Sequence, residues 1–147
     1  MIPEFFEFYL PTRIISGAGL AGELGPELEK TGLSRGLVVT DPMMLKSGLV
    51  DRVLRGLPNS AVRVADVFSE VVPNSDIDIV ERGAALAREV QPDFILAVGG
   101  GSVIDTAKGI NILYSQGGSL LDYEGVNVLT QALGPLVAVP TTAGTGS

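Results

Sequence analysis

A triple glycine between an apolar run and an amphipathic run is the feature that most constrains how this chain can fold. The stretch DFILAVGGGSVIDTAKG passes from the apolar segment 94–98 through Gly99, Gly100 and Gly101 into a segment with apolar residues at helical spacing. Glycine carries no Cβ, so the backbone can bend sharply there and a ligand can approach it closely. The stretch therefore predicts a buried strand, a tight turn and a helix, in that order.

The same alternation of strand-like and helix-like runs extends along the chain. Strands are predicted in RGLVVTD, AVRVADVF, DFILAVGGG and PLVAVP. Helices are predicted in LAGELGPELEKTG, PMMLKSGLVDRVLRGL, SDIDIVERGAALAREV and SVIDTAKGINILYSQ. This order indicates an α/β fold, a Rossmann-like parallel sheet with helices on both faces. The stretch FEFYLPTRIIS, broken near Pro11, predicts two more strands that would form an N-terminal β-hairpin before this sheet.

Composition excludes several classes of function. The 147 residues suit one domain, and the net charge of −7 without a basic cluster speaks against nucleic-acid binding. No apolar run is long enough for a membrane span, and the start MIPEFFEFYL lacks the positive region of a secretory signal. We therefore expect neither a nucleic-acid partner nor a membrane partner.

Two residue types are missing from the sequence. The lack of cysteine excludes disulfides, thiolate metal sites and a cysteine nucleophile, and it fits a cytoplasmic location. The lack of histidine excludes an imidazole general base or metal ligand within this chain. We therefore expect neither a thiolate nor an imidazole metal site here.

An earlier glycine cluster imitates a dinucleotide-binding motif. Gly17, Gly19 and Gly22 have the spacing G-x-G-x-x-G, and Asp41 follows at about the 20-residue distance typical of that motif. The preceding PTRIIS, however, has only two consecutive apolar residues after a proline, which suits an edge strand better than a central one. The cluster predicts a turn between hairpin and helix, and ligand contact is the weaker alternative.

The triple glycine is the stronger candidate for a phosphate site. Ligands of parallel α/β sheets bind outside the carboxyl ends of the strands. Gly99, Gly100 and Gly101 would let a diphosphate approach, and Ser102 could cap a helix whose first amides attract anions. The alternative is a sharp strand-to-helix turn without a ligand.

Charged residues in the following helix admit two interpretations each. Ser102 and Asp105 have the spacing of a capping box, so Asp105 could simply accept the Ser102 amide. Equally, a carboxylate in this first turn could face a nicotinamide or a substrate, which makes Asp105 the candidate catalytic residue. Lys108 is predicted to be a solvated helix residue, with a phosphate or substrate contact as the alternative.

Three further loops follow predicted strands. Asp41 could accept the adenosine ribose hydroxyls and so favour NAD over NADP, or cap a helix that begins at Pro42. Asn74 could contact a cofactor or cap the next helix, for which Ser75 and Asp76 are rival caps. The closing VPTTAGTGS suits a polar ligand such as ribose, adenine or carboxamide, or forms a flexible loop. Its candidate ligand contacts are Thr141, Thr142, Thr145 and Ser147.

These segments resemble one family in order and spacing. AVGGGSVIDTAKG followed by VPTTAGTGS is similar to the iron-containing (group III) alcohol dehydrogenases. PTRIISGAGLAGELG, VVTDPMMLKSGLV and VVPNSDIDIVERGAALAREV resemble the same family, so the likeness covers essentially the whole chain. Glycerol dehydrogenases and dehydroquinate synthases share the fold but usually agree less well in PTTAGTGS.

The resemblance implies that residues 1–147 form an NAD(P)-binding domain. By position, Asp41 resembles the adenosine-ribose residue, Asn74 a cofactor contact and Asp105 the acidic residue near the nicotinamide. The segment Gly99–Ser102 resembles the diphosphate loop. The hydroxyl-bearing residues that resemble the lining of adenine, ribose and nicotinamide are Thr141, Thr142, Thr145 and Ser147.

The resemblance also implies a helical C-terminal domain that this chain does not contain. In the family that domain supplies an aspartate and three histidines to a divalent metal, Fe²⁺ or Zn²⁺. We therefore expect a metal only in a longer parent, which would transfer hydride between a small primary alcohol or aldehyde and NAD, as a homodimer or a higher homo-oligomer. The chain alone is expected to lack turnover. The alternatives are a stand-alone, non-enzymatic nucleotide-binding module and a domain of a glycerol or other polyol dehydrogenase.

Overall fold

The computed structural model describes residues 11–57, 60–74 and 76–144. Within these ranges the chain forms four strands and five α-helices. The strands are β1 (Arg35–Val39), β2 (Arg63–Phe68), β3 (Phe94–Gly99) and β4 (Leu136–Pro140). The helices are α1 (Leu24–Glu29), α2 (Pro42–Lys46), α3 (Leu49–Leu54), α4 (Ile77–Val90) and α5 (Gly101–Gln116). Short 3₁₀ helices span Leu20–Glu23 and Leu120–Tyr123.

The strands form one parallel sheet in the order β2-β1-β3-β4. Val38 of β1 pairs with Leu96 of β3, and Leu96 pairs in turn with Val137 of β4. Because every pair is parallel, the carboxyl ends of the four strands lie at one edge. The predicted α/β fold is confirmed.

The two faces of the sheet bury separate cores because successive strand side chains point to opposite sides. Leu37 and Ile95 pack with Ala84 and Ile110 of α4 and α5 on one face. Val38 and Leu96 pack with Val53 of α3 on the other face, where Leu28 of α1 also lies. The helices therefore cover both faces, as the sequence predicts.

Polar contacts fix the two ends of the central strands. At the amino edge, Asp93 accepts hydrogen bonds from the Ser34 amide, the Ser34 hydroxyl and the Arg35 amide, each at 2.9 Å. Partial desolvation raises the pKa of Asp93, but these hydrogen bonds outweigh it and hold the pKa below its ordinary value. At the carboxyl edge, the buried Thr40 hydroxyl donates to the Val98 carbonyl at 2.8 Å. Neighbouring strands are thus tied together at both edges.

The second strand of the predicted N-terminal β-hairpin, which would follow Pro11, does not form. Residues 11–17 contain no strand, and Ile14 is 73% exposed. A strand needs a hydrogen-bonded neighbour, and no described segment pairs with residues 11–17. The other strand of the predicted hairpin falls on residues 1–10, outside the described ranges.

The helix predicted after Asp41 is in fact two helices. The chain leaves α2 at Ser47 and begins α3 after Gly48, whose φ of 72° lies in the left-handed region. A right-handed helix cannot continue through that conformation. The 3₁₀ helix Leu120–Tyr123 begins with a capping box formed by Ser119 and Asp122, which the sequence analysis does not identify.

Within the described ranges, no helix has the length and apolar character needed to cross a lipid bilayer.

Candidate functional site

A cleft of about 1080 Å³ opens at the carboxyl edge of the sheet. Its walls come mainly from the loops that follow the four strands and from α2 and α5, with single residues of α4 and of the 3₁₀ helix Leu120–Tyr123. Most of the residues that the sequence singles out lie on these walls. They are Asp41, Asn74, Gly100, Gly101, Ser102, Asp105, Thr141 and Thr142.

Three of the predicted site residues are not among those that line the cleft. Gly99 is buried at the end of β3, where its carbonyl accepts a hydrogen bond from the Thr141 amide at 3.0 Å. A Cβ on Gly99 would lie 2.5 Å from a methyl carbon of Val103, so this glycine permits close packing beneath the cleft. Thr145 and Ser147 lie outside the described residues.

The glycine motif at Gly17, Gly19 and Gly22 also lies away from the cleft walls. Gly19 has a left-handed φ of 80° and precedes the 3₁₀ helix Leu20–Glu23. The predicted turn before a helix is confirmed. No residue of the motif lines the cleft.

The triple glycine makes the turn from β3 into α5. Gly100 is the N-cap in an extended conformation, and its carbonyl accepts the Ile104 amide at 3.1 Å. Ser102 is already the second residue of α5, so its predicted capping role is wrong, and the capping box with Asp105 does not form. The physical reason is that the glycine backbone makes the bend at Gly100, two residues before Ser102. The first amides of α5 lack helical acceptors, as in any helix, and Gly101, Ser102 and Val103 line the cleft.

The turn and the loop after β4 lie against each other. A Cβ built on Gly100 would lie 3.1 Å from the Thr142 hydroxyl oxygen, closer than side chains normally pack. Because Gly100 has no side chain, the space beside the Thr142 hydroxyl stays open to the cleft. This gap fits a ligand that needs direct access to backbone amides, as a dinucleotide diphosphate does.

Asp41 is half-buried at the end of β1 and caps α2. Its Oδ1 accepts the amides of Met43 at 2.8 Å and Met44 at 2.9 Å. The predicted capping role is confirmed, and these two bonds fix the carboxylate at the cleft wall. Among the described residues no donor reaches Oδ2, which leaves one oxygen to accept a hydroxyl of a ligand.

Asn74 lies in the loop after β2 and is exposed to the cleft. Its φ of 54° is in the left-handed region, which asparagine tolerates better than most residues. The cap of α4 is Asp76, which accepts the Ile79 amide at 3.1 Å. The alternative in which Asn74 caps α4 is therefore wrong, because its backbone has already turned before the helix begins.

Asp105 lies on the exposed side of α5 at the cleft wall. The Lys108 ammonium donates to Asp105 Oδ1 at 3.1 Å, and both side chains are about half exposed. Lys108 itself does not line the cleft. Asp105 is thus a negatively charged wall residue one turn beyond the glycines.

The apolar walls of the cleft and one cation on them are not predicted from the sequence. Apolar side chains enclose the cleft. They come from α2, the loop after β2, α4, α5 and the 3₁₀ helix Leu120–Tyr123, and they are Met43, Met44, Val71, Val80, Val103 and Leu120. Lys46 contributes the missed positive charge. No sequence pattern marks this lysine, because it reaches the cleft wall only when α2 has formed.

The residues present do not fit a metal ion. Residues 11–57, 60–74 and 76–144 contain no group of three or more histidine, cysteine, aspartate or glutamate residues that could hold one. The whole sequence has no histidine and no cysteine.

A parallel sheet covered on both faces, with a glycine turn and a cleft at its carboxyl edge, defines a Rossmann-like domain. Residues 11–147 match the family of iron-containing alcohol dehydrogenases. The chain belongs to that family.

Relatives with known names and structures agree with this assignment. Choline dehydrogenase of Bacillus subtilis is 40% identical over 98% of this chain and 36% of its own length. The structure of an alcohol dehydrogenase from Oenococcus oeni matches with a TM-score of 0.88 and 34% identity, over 97% of this chain and 37% of that one. Sulfoacetaldehyde reductase from Bifidobacterium kashiwanohense, solved in complex with NAD⁺, matches with a TM-score of 0.83 and 31% identity, over 98% of this chain and 38% of that one. The chain thus spans little more than a third of the length of these relatives.

Proposed function

We propose that residues 1–147 are the NAD-binding domain of an iron-containing alcohol dehydrogenase. The observation that carries the proposal is the convergence of Asp41, the Gly100–Ser102 turn and Thr142 on one cleft at the carboxyl edge of the sheet. Dinucleotides bind at this edge in open parallel sheets. The relatives' greater length leaves room for a helical, metal-binding domain outside this chain.

The diphosphate of NAD would bind at the start of α5. The first amides of this 16-residue helix point out of its N-terminus, where the helix dipole favours an anion. Gly100 and Gly101 let the phosphate oxygens come within hydrogen-bonding distance of those amides, since no Cβ stands in the way. Thr142, against Gly100, would add a hydroxyl donor from the opposite wall.

The adenosine ribose would bind at Asp41. The amides of Met43 and Met44 hold Oδ1, so Oδ2 is oriented to accept a ribose hydroxyl. A carboxylate at this point repels a 2′-phosphate, so Asp41 favours NAD over NADP. Asn74, Thr141, Thr145 and Ser147 are proposed as further contacts to the cofactor, and Gly99 as the residue that lets the turn pack beneath it.

NAD supplies the hydride acceptor of the proposed reaction, in which a small alcohol is oxidised to an aldehyde. Asp105 is the proposed catalytic residue, placed one turn after the glycines at the nicotinamide end. Because the described residues do not fit a metal, polarisation of the alcohol oxygen would come from the rest of the parent enzyme, and this chain alone would bind cofactor without turnover. A cytoplasmic location and a homo-oligomeric parent remain predictions of the sequence.

Titration with NADH tests the proposal. The chain should quench or enhance NADH fluorescence saturably, and Asp41→Asn should weaken binding about tenfold, since a charge-assisted hydrogen bond to the ribose becomes a neutral one. Asparagine keeps a capping oxygen, so α2 should remain folded. The matched control is Glu81→Gln, which removes one exposed carboxylate of α4 away from the cleft. Absence of any fluorescence or heat change up to millimolar NADH would refute the proposal.

A further inference from the structure

Lys46 lies on the side of α2 that faces the cleft. Pro42, Met43, Met44 and Lys46 all line the cleft, so within α2 only Leu45 does not. Helical side chains lean towards the N-terminus of their helix. We therefore expect the Lys46 side chain to extend back towards Asp41, which caps the helix.

The electrostatic setting of Lys46 differs from that of other lysines and arginines near acidic groups. Arg13 and Lys30 pair with Glu27, Arg82 pairs with Glu70, and Lys108 pairs with Asp105. Among the described residues, Lys46 is the only cation on the cleft wall, and it makes no ion pair. In a chain with a net charge of −7, a cation so placed is available to an anionic part of a ligand.

The position of Lys46 relative to Asp41 indicates which anionic part that is. The proposed function places the adenosine ribose at Asp41, and the inference rests on that placement. A phosphate on the ribose 2′-oxygen would then lie next to the Asp41 carboxylate, which repels it, and within the region that the Lys46 side chain reaches. Attraction by the ammonium group would offset part of that repulsion.

We propose that Lys46 is a specificity-determining residue that receives the 2′-phosphate of NADPH. Asp41 and Lys46 then act in opposite directions from the two ends of one short helix. Asp41 favours the unphosphorylated cofactor, and Lys46 lets the cleft bind the phosphorylated one as well. The ratio of the Kd for NADPH to the Kd for NADH is consequently smaller than it would be with Asp41 alone.

Affinities for NADH and NADPH in matched variants test this inference. Lys46→Gln should raise the Kd for NADPH about tenfold and that for NADH less than about twofold, because a charge-assisted contact to phosphate is lost. Lys46→Arg should keep the ratio of the two Kd values near that of the unmodified chain. Lys30→Gln removes the same charge from the Glu27 pair, away from the cleft, and should leave the ratio unchanged.

The possible outcomes separate this inference from the proposed function. If the unmodified chain binds NADH but Lys46→Gln leaves the ratio of Kd values unchanged, only the role of Lys46 is overturned. The same holds if Lys46→Gln weakens both cofactors equally while far-ultraviolet circular dichroism shows an intact fold. If the unmodified chain binds neither cofactor, the proposed function and the role of Lys46 are overturned together. The compounds 2′,5′-ADP and ADP can also be compared as competitors of cofactor binding. If Lys46→Gln weakens competition by 2′,5′-ADP more than competition by ADP, the assignment to the 2′-phosphate is supported.

Discussion

Gly36 lies directly beside the ring of Phe94, with which it is paired in register across β1 and β3. A Cβ on Gly36 would be 2.4 Å from Cζ of Phe94, and the ring is only 2% exposed. The aromatic side chain fills the space that a side chain on β1 would otherwise take. Glycine in the interior of this strand is therefore a packing requirement.

Gly36→Ala should destabilise the fold by about 1–3 kcal/mol, because the buried ring has no room to move away. Urea unfolding followed by circular dichroism measures the change. The double variant Gly36→Ala/Phe94→Leu should lose less stability than the two single variants lose together, because leucine leaves free the space of the ring edge. The control is Gly22→Ala, at a glycine whose added Cβ would meet nothing within 4 Å. Equal stabilities of Gly36→Ala and Gly22→Ala would contradict the packing argument.

Gly100→Ala should weaken NADH binding about tenfold, because its methyl group would press on the Thr142 hydroxyl 3.1 Å away and narrow access to the amides of α5. Calorimetric titration provides the measurement. In the Gly100→Ala background, Thr142→Ala should cost less affinity than it does alone, because the added methyl group already displaces the hydroxyl.

Additive losses in these two variants would show that Gly100 and Thr142 act separately. The control is again Gly22→Ala, in the glycine motif outside the cleft, which should bind NADH as the unmodified chain does. Loss of NADH binding in that control would indicate that the diphosphate binds at Gly17, Gly19 and Gly22 instead.

The Asp93 contact should make stability depend on pH in the acid range. The pKa of Asp93 in the folded chain lies below its ordinary value of 3.8, so its contribution is complete above that value and is lost as the pH falls through the folded pKa. Asp93→Asn should cost about 1 kcal/mol at pH 7, because a carboxylate that accepts three hydrogen bonds becomes a neutral amide. It should also flatten the loss of stability below about pH 4. Urea unfolding at several pH values tests both effects, and an unchanged acid slope would contradict the assignment.

The caps of α4 and α5 should respond differently to substitution. Asp76→Ala should destabilise the chain by about 1 kcal/mol because it removes the acceptor of the Ile79 amide. Ser102→Ala should change stability by less than about 0.5 kcal/mol because Gly100, and not Ser102, is the N-cap of α5. Thermal unfolding of the two variants measures the difference. Similar losses of stability in the two variants would indicate that Ser102 does cap α5.

The sheet and the cleft could be predicted because their signals are local. The residues of β3 are all buried and appear as an uninterrupted apolar run, and β1 differs only at Arg35, so each was recognisable without tertiary information. The residues at the strand ends could be placed together because parallel strands end at one edge. Asp41 illustrates this, since both its capping role and its position at the cleft follow from the sequence.

Other features depend on contacts that the sequence does not encode locally. The break at Gly48 separates two runs whose apolar residues continue a common pattern, so one helix and two helices look alike. The segment 11–17 has strand-forming residues, but pairing decides whether a strand forms. Lys46 shows no pattern of its own, and only the folded helix α2 brings it to the cleft wall.

The Asp93 contact lies at the amino edge of the sheet, whereas the cleft lies at the carboxyl edge of the same strands. The length of the sheet consequently separates this contact from the residues that face the ligand. Selection can alter the loops at one edge without loosening the other. Such an arrangement gives the domain freedom to evolve new ligand preferences at little risk to folding.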